Sequence, residues 1–425
     1  MLKKVLIITY YWPPAGGPGV QRWLKFVKYL PDFGIEPVVY IPTNPSYPII
    51  DNSLRTDVSD ELTIISQPIQ EPYKFAKFLS KNKTNTISKG LIPDVKRQSV
   101  TDKILLLIRG NFFIPDSRKN WVKPSVKYLS NYINTFNIDT IITTGPPHSL
   151  HLIGLNLKRQ LGVKWLADFR DPWTTIGYHK ALKLTEASKQ KHHKLENEVL
   201  TAADHIIVTS ASTKLEFQNK TRTPITVITN GYDVENNQTA ALDKKFTFAH
   251  IGSLLSKRNP ELLWKAIQDL IAENDSFKKH FQLKLVGAVS DVVLNTIKSY
   301  NLTDYLYEVG YVSHIESVSI QKKSQVLLLI EIDSEDTKCI IPGKLFEYMA
   351  SNRPILAIGP KQSDVEVILN ETNTGAYFNY DDYENIKNVI LKYFKAFLEG
   401  NLKSHGIGLQ KYSRKALTKK LTEII

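Results

Sequence analysis

Short apolar runs recur along the chain, at residues 5–10, 38–41, 139–144, 163–167 and 205–209 in the first half and at 246–251, 283–287, 326–330 and 354–358 in the second. Between them the period changes. After residue 19, Val20, Trp23, Leu24, Val27 and Leu30 fall on one face of a helix that Pro31 ends. After Asn259-Pro260, Leu262, Leu263, Ile267 and Leu270 do the same. Strand-like runs alternating with helical stretches predict an α/β protein with parallel sheets. Residues 45–125 do not follow this rhythm and read as short helices and loops.

The clearest unit lies at 326–359. Its two apolar runs lack period-2 alternation, so both read as strands covered on both faces. Between them Pro342-Gly343-Lys344 opens a helix carrying Leu345, Tyr348 and Met349 inward, and Asn352-Arg353-Pro354 stops it, because the residue before a proline is pushed out of the helical region. This β-loop-α-β unit delivers a helix start, Lys344 and Glu347 to the carboxyl ends of parallel strands, where open α/β sheets bind ligands. Unpaired N–H groups at a helix start favour phosphate. Any βαβ unit has such an end, so the physics alone leaves a phosphate site and an empty strand end equally open.

Composition narrows the class. A chain of 425 residues exceeds one core and fits two domains. Apolar content of 42% with 23% charged residues describes a folded globular chain rather than a disordered one. The run after Met1-Leu2-Lys3-Lys4 is too short for a signal peptide and is broken by Trp12-Pro13-Pro14, and no run approaches the roughly 18 apolar residues of a membrane span. The expected location is therefore cytoplasmic, or peripheral on the inner face of the plasma membrane. The single cysteine, Cys339, excludes an internal disulfide and a multi-cysteine metal site, and no His/Asp/Glu cluster has metal-ligand spacing. His192 and His193 are adjacent in a helical stretch and read as surface residues.

The formal net charge of +13 is uneven, since residues 71–125 hold twelve Lys/Arg against four Asp/Glu. The same stretch carries Phe75, Phe78, Leu79, residues 104–108, Phe112 and Phe113. Cations beside apolar side chains suit an anionic membrane surface, at about 1 kcal/mol per Lys or Arg near the headgroups. Nucleic acid is the rival partner, but no binding motif accompanies the charge, so none is expected. A solvated basic face over a buried core is the plainer alternative.

Several strand ends carry candidate chemistry. The loop 12–19 holds Gly16, Gly17 and Gly19 after the first strand, but it lacks the G-x-G-x-x-G pattern and no acid ends the next strand, which rules out a nicotinamide dinucleotide site. Gly145-Pro146-Pro147-His148 places His148 at a helix start, which disfavours imidazolium and keeps the ring neutral. Asp168, Arg170 and Asp171 crowd a strand end beside Trp173. They read partly as an Asp–Arg pair with a cap, and partly as an acceptor-sugar site with Trp173 as stacking face. Asp116, Arg118 and Trp121 are further acceptor-side candidates. Lys257 and Arg258 follow the strand ending at Gly252-Ser253 and form a diphosphate cradle, each charge-assisted bond contributing about 1.5–3 kcal/mol.

The segment Pro-Gly-Lys-Leu-Phe-Glu-Tyr-Met-Ala-Ser-Asn-Arg-Pro at 342–354 resembles the donor-binding segment of the family 4 retaining glycosyltransferases of bacterial polysaccharide biosynthesis. Pro-Pro-His-Ser at 146–149, Asp-Phe-Arg-Asp-Pro-Trp at 168–173 and Ile-Thr-Asn-Gly-Tyr-Asp at 228–233 resemble other segments of the same subgroup. The resemblance covers nearly the whole chain. It implies the GT-B fold, two doubly wound Rossmann-like α/β domains facing across a cleft. The domains would be an acceptor-binding one at 1–234, a linker at 235–245, a nucleotide-sugar domain at 246–408, and a helix at 409–425 packing back on the first.

It also implies roles. Glu347 would hold the nucleotide ribose, and Pro342, Gly343, Lys344 and Leu345 would face the diphosphate. Gly310 and Tyr311 would line the base, while Gly16 and Gly17 would let the backbone approach the donor. Ser253, Lys257 and Arg258 complete the donor site, and His148, Asp171, Arg258 and Lys344 are the catalytic candidates. Asp168, Arg170, Asp171 and Trp173 would meet the acceptor. Two positions depart from the pattern: Cys339 stands where many members have a sugar-contacting glutamate, and Ser253 where an arginine is common. The expected reaction is metal-independent transfer from a nucleotide sugar, a co-substrate rather than a bound cofactor, to a glycan or lipid-linked hydroxyl. A nucleotide-sugar epimerase and a non-catalytic nucleotide-sugar binding protein are the alternatives.

Overall fold

The computed structural model describes residues 2–71, 100–180, 182–233 and 240–425. It contains two compact units, Met1–Thr229 with Arg414–Ile425, and Asn230–Ser413.

The first unit is built on β1 (Lys3–Ile8), β2 (Ile35–Pro42), β3 (Thr63–Gln67), β4 (Thr140–Gly145), β5 (Lys164–Phe169), β6 (His205–Val208) and β7 (Ile225–Val227). All pair in parallel, in the order β3-β2-β1-β4-β5-β6-β7. Both faces are covered, which explains the unalternating runs. Leu6 and Ile8 of β1 join one core with Tyr40, Ile141 and Trp165, while Val5 and Ile7 join another with Val39, Ile142 and Trp23. The helix Pro18–Tyr29 starts on Gly17, whose φ of 104° lies in the region open to glycine. Strand order reverses between β1 and β4, so the crevice outside their carboxyl ends is this unit's ligand position.

The second unit holds β8 (Phe246–Ile251), β9 (Phe281–Val286), β10 (Leu306–Gly310), β11 (Val326–Ile330), β12 (Ile355–Gly359) and β13 (Gly375–Asn379), again all parallel, in the order β10-β9-β8-β11-β12-β13. Phe248, Leu328 and Leu356 pack on one side, and Ala249, Leu327, Leu329 and Ala357 on the other. The reversal here lies between β8 and β11.

Two chain segments cross these expectations. Of the linker expected at 235–245, residues 235–239 lie outside the described part, and Asp243 belongs to the second unit through an ion pair with Lys284 (2.8 Å) and a hydrogen bond from Thr247 (3.0 Å). The tail divides after Ser413 rather than before Leu409. Tyr412 packs on Phe346 in the second unit, whereas Leu417, Leu421 and Ile425 fill the first unit's core. Lys3 and Lys164 both donate to the carbonyl of Ile425 at 2.9 Å. Of the basic stretch 71–125, residues 72–99 lie outside the described part. Leu107, Ile108 and Phe112 are exposed, and Lys119 lies over the Phe113 ring. Among the described residues no helix is long and apolar enough to cross a membrane.

Candidate functional site

In the first unit the strand ends bring His148, Asp168, Arg170, Asp171 and Trp173 together. Asp168 is fully buried and ionised. It accepts from Arg22 Nη2 (2.9 Å), Trp23 Nε1 (2.7 Å) and Thr144 Oγ1 (2.8 Å), and Arg22 also donates to Thr229 O (2.8 Å). Burial alone would raise this carboxyl, but the Arg22 guanidinium and the three donors hold it below the usual range. The acceptor role expected of Asp168 is thereby corrected. Its oxygens tie β5 to β4 and to the helix Pro18–Tyr29, leaving none turned outward.

Arg170 is likewise engaged, with donors directed to Gly145 O and Pro146 O and its guanidinium filling the space where a Cβ on Gly19 would lie. Trp173 is no stacking platform for a sugar. It is buried, one ring face is covered by His148 (4.8 Å, 3° between planes), and Nε1 donates to His192 Nδ1 (3.1 Å). His192 is itself fully buried, which corrects its assignment to the surface. Trp121 is core, stacked on Tyr40. Arg118 pairs with Glu71 (3.2 Å), and Asp116 caps the helix Ser149–Leu161 through Ser149 N (2.8 Å) and Oγ (2.9 Å). Gly16 is pinned beneath Ile49, where a Cβ would come within 2.9 Å of its methyl group.

What remains at this strand end is His148 and Asp171. His148 is buried, and among the described residues neither ring nitrogen has a hydrogen-bond partner. Its ring is held neutral chiefly by burial, then by His151, His179, Arg170 and His192. Burial thus does what the helix start was expected to do. His151 beneath it is held down to about 3, again by burial. Thr143 Oγ1 accepts from Trp165 Nε1 (2.9 Å) and lies 2.9 Å from His151 Nδ1, which fixes the His151 ring in place. Gly145 makes room for both rings, since a Cβ would lie 2.6 Å from His151 Nε2 and 3.2 Å from His148 Nδ1. Asp171 is half-buried, and burial pushes its carboxyl up against the pull of Arg170.

In the second unit a ladder of glycines runs along the strand ends. Gly252 N donates to Val286 O (2.8 Å) and Gly287 N to Gly310 O (2.6 Å), with φ of 121°, 107° and 74° at Gly252, Gly287 and Gly310. A Cβ on Gly287 would meet the Gly252 carbonyl oxygen at 2.8 Å. Gly287→Ala is expected to cost on the order of 2 kcal/mol, from the backbone conformation and the contact together. A lowered denaturant midpoint would report it, and an unchanged one would show that the loop yields freely.

Lys344 sits in the first turn of the helix Gly343–Ala350, whose N-cap, Pro342, offers no side-chain cap. Its ammonium donates to Ile251 O (3.0 Å) and approaches His250 Nε2 (3.4 Å). His250 is fully buried and its Nδ1 lies 3.1 Å from Leu328 O, so Nδ1 carries the proton and Nε2 is left as acceptor for Lys344. Desolvation first, then Arg258, lowers Lys344 to about 7. Arg258 is half-buried, donates Nη1 to Ser253 O (3.3 Å), and has a buried Nε without a partner among the described residues.

Glu347 is held at both oxygens, by His314 Nε2 (3.1 Å) and Gln321 Nε2 (3.1 Å). Leu345 is corrected in one respect: its side chain is fully buried, so only its backbone reaches the helix start. Ser253, Lys257 and Tyr311 are exposed. Sequence reasoning passed over His250, His314, Gln321 and Glu331. The last was the most visible, an acid directly after the apolar run of β11.

Residues 92–236 match the family model described as Glycosyltransferase Family 4. No curated protein matches the chain. Among solved structures, sucrose-phosphate synthase from Thermosynechococcus elongatus is similar over 99% of this chain and 98% of its own, at 14% identity and a TM-score of 0.62. HepE of Anabaena, solved in complex with UDP, is similar over 99% of both chains at 12% identity and a TM-score of 0.61. A Listeria monocytogenes protein described as a putative UDP-N-acetylglucosamine 2-epimerase is similar over 99% of this chain and 95% of its own, at 11% identity and a TM-score of 0.57. At these identities the structures speak for the fold, which is GT-B. The family 4 match covers residues 92–236, about a third of the chain, and the structural likeness over nearly the whole chain is to the GT-B fold.

Proposed function

We propose that the chain is a retaining glycosyltransferase moving a sugar from a nucleotide-sugar donor to a hydroxyl of a cell-surface polysaccharide or lipid-linked glycan, with no divalent ion required. The observation that carries this reading is the convergence of Arg258, Lys344 and the uncapped helix start at Pro342 on the reversal between β8 and β11. The hardest event in such a transfer is departure of a nucleotide diphosphate from the anomeric carbon. Cations and amides fixed in advance stabilise that growing charge without reorganising. Glu347, already oriented by His314 and Gln321, would take the ribose hydroxyls, and Gly310 and Tyr311 the base. On the first unit, His148 offers one ring nitrogen as donor and the other as acceptor to sugar hydroxyls, and Asp171 is the acid nearest an acceptor. The HepE complex with UDP supports a nucleotide ligand for this fold.

The exposed Leu107, Ile108 and Phe112 support a peripheral membrane contact that would bring a lipid-linked acceptor within reach. The epimerase neighbour supports a second reading, isomerisation of the nucleotide sugar without acceptor. Incubation with a panel of nucleotide sugars, with and without membrane extract, separates the two. Transfer predicts free nucleotide diphosphate that rises with extract, and the anomeric configuration of the product reports retention. An isomerised nucleotide sugar in the absence of acceptor would favour epimerisation, and neither product would sink both.

A further inference from the structure

Glu331 follows β11 at the carboxyl edge of the second sheet and is 4% exposed. Among the described residues no cation lies within ion-pair distance of its carboxyl. Ser363 Oγ approaches both oxygens (3.3 and 3.1 Å), the Tyr377 hydroxyl lies 2.9 Å from Oε2, and the Tyr380 hydroxyl donates to the backbone carbonyl (2.6 Å). Gly359 makes the arrangement possible, for a Cβ there would come within 2.3 Å of the Tyr377 oxygen and 2.6 Å of Oε2.

The Tyr377 hydroxyl is also 2.8 Å from Pro360 O. One hydroxyl has one proton and here faces two acceptors. If Glu331 is ionised, that proton serves either the carboxylate or the carbonyl. If Oε2 is protonated, it donates to the Tyr377 oxygen, whose own proton goes to Pro360 O, and all three groups are satisfied in the same positions. The network therefore accommodates both protonation states without moving.

The charges around the carboxyl decide between them. Arg258, from the loop before the helix Glu261–Glu273, and Lys344, from the helix Gly343–Ala350, favour the anion. Asp364, at the start of the helix Asp364–Thr372, disfavours it. Among the described residues, His250, against Lys344, and Tyr377 and Tyr380, of β13 and just beyond, are further titratable groups facing it or its two cations. Burial pushes the carboxyl up to about 7.

We propose that Glu331 is the counter-charge of the donor site: as a carboxylate it offsets the charge of Arg258 and Lys344 without pairing with either, and it takes a proton from solvent when a diphosphate becomes their partner. The proposal rests on the donor reading above and adds to it a positioning residue that acts through the two cations. The incoming diphosphate neutralises the charges that kept Glu331 ionised, so a second anion beside it becomes unfavourable and binding is coupled to proton uptake.

The test is titration calorimetry at pH 8 in buffers of different ionisation enthalpy. UDP-glucose, UDP-N-acetylglucosamine and GDP-mannose serve as probes, because their diphosphates are diesters that do not titrate near neutrality. Lys344 would also gain a proton on binding, so Lys344→Arg isolates Glu331. That variant is expected to take up close to one proton, and its affinity to fall by up to about tenfold per pH unit above 7. Adding Glu331→Gln, a neutral near-isostere, should remove the uptake and flatten the pH profile. Glu331→Gln on wild-type Lys344 gives the same comparison should the double variant not fold. Uptake unchanged by Glu331→Gln overturns the proposal. If none of the three probes binds, the donor reading itself fails and the proposal with it.

Discussion

Arg258→Ala is expected to lower kcat by roughly 10²–10³-fold, the size of loss seen when one preorganised donor to a developing anion is removed. Lys344→Met should be of similar size. The loss belongs in kcat more than in KM if these groups meet charge that grows as the bond breaks. Arg258 suits this part because its donor set is incompletely used, with a buried Nε lacking a partner among the described residues. Lys344 suits it because desolvation leaves its ammonium marginal, and a phosphate beside it would restore full charge. Adding a chelator to the wild-type enzyme should leave turnover unchanged. Turnover that survives either substitution, or that a chelator abolishes, would remove these residues from the centre of the mechanism.

The largest effect on stability should come from Asp168→Ala, at about 3–5 kcal/mol, because it strands the Arg22 guanidinium, buried and charged, without its carboxylate. Five of the six tryptophans, at 12, 23, 121, 165 and 173, lie in the first unit, so fluorescence-detected unfolding follows that unit closely. A midpoint within about 1 kcal/mol of wild type would contradict the assignment. The sign with pH is fixed. The folded carboxyl lies below its unfolded value, so its contribution is complete above about pH 4 and is lost as pH falls through the folded value. The variant's deficit should therefore be full at pH 7 and shrink in strong acid.

The strands were legible because their burial is apolar. Residues 326–330 and 246–251 are strands with the bounds their apolar runs gave. The helix opened by Asn259-Pro260 was also legible and runs over Glu261–Glu273. Burial of polar groups leaves no such trace. Ser188, His192 and Glu196 recur every four residues along the inner face of the helix Glu186–Ala202, yet each counts as polar, so that face read as surface. The partner of Asp168 was equally hidden. Arg170 is two positions away, but Arg22, 146 positions away, makes the pair. At the candidate site, the residue types at 148, 258, 344 and 347 could be read off, but their orienters (His250, His314 and Gln321) are set by tertiary packing alone.

The described tail has a consequence for how the protein is made. A ribosome working from the amino terminus has synthesised the whole of Asn230–Ser413 before it reaches Leu417, Leu421 and Ile425, which complete the core begun by Val5 and Trp23. The half that is translated first must therefore wait, unfinished, for the other to emerge, reversing the usual order of co-translational folding. Expressed as a fragment ending at residue 229, it would lack part of its own interior.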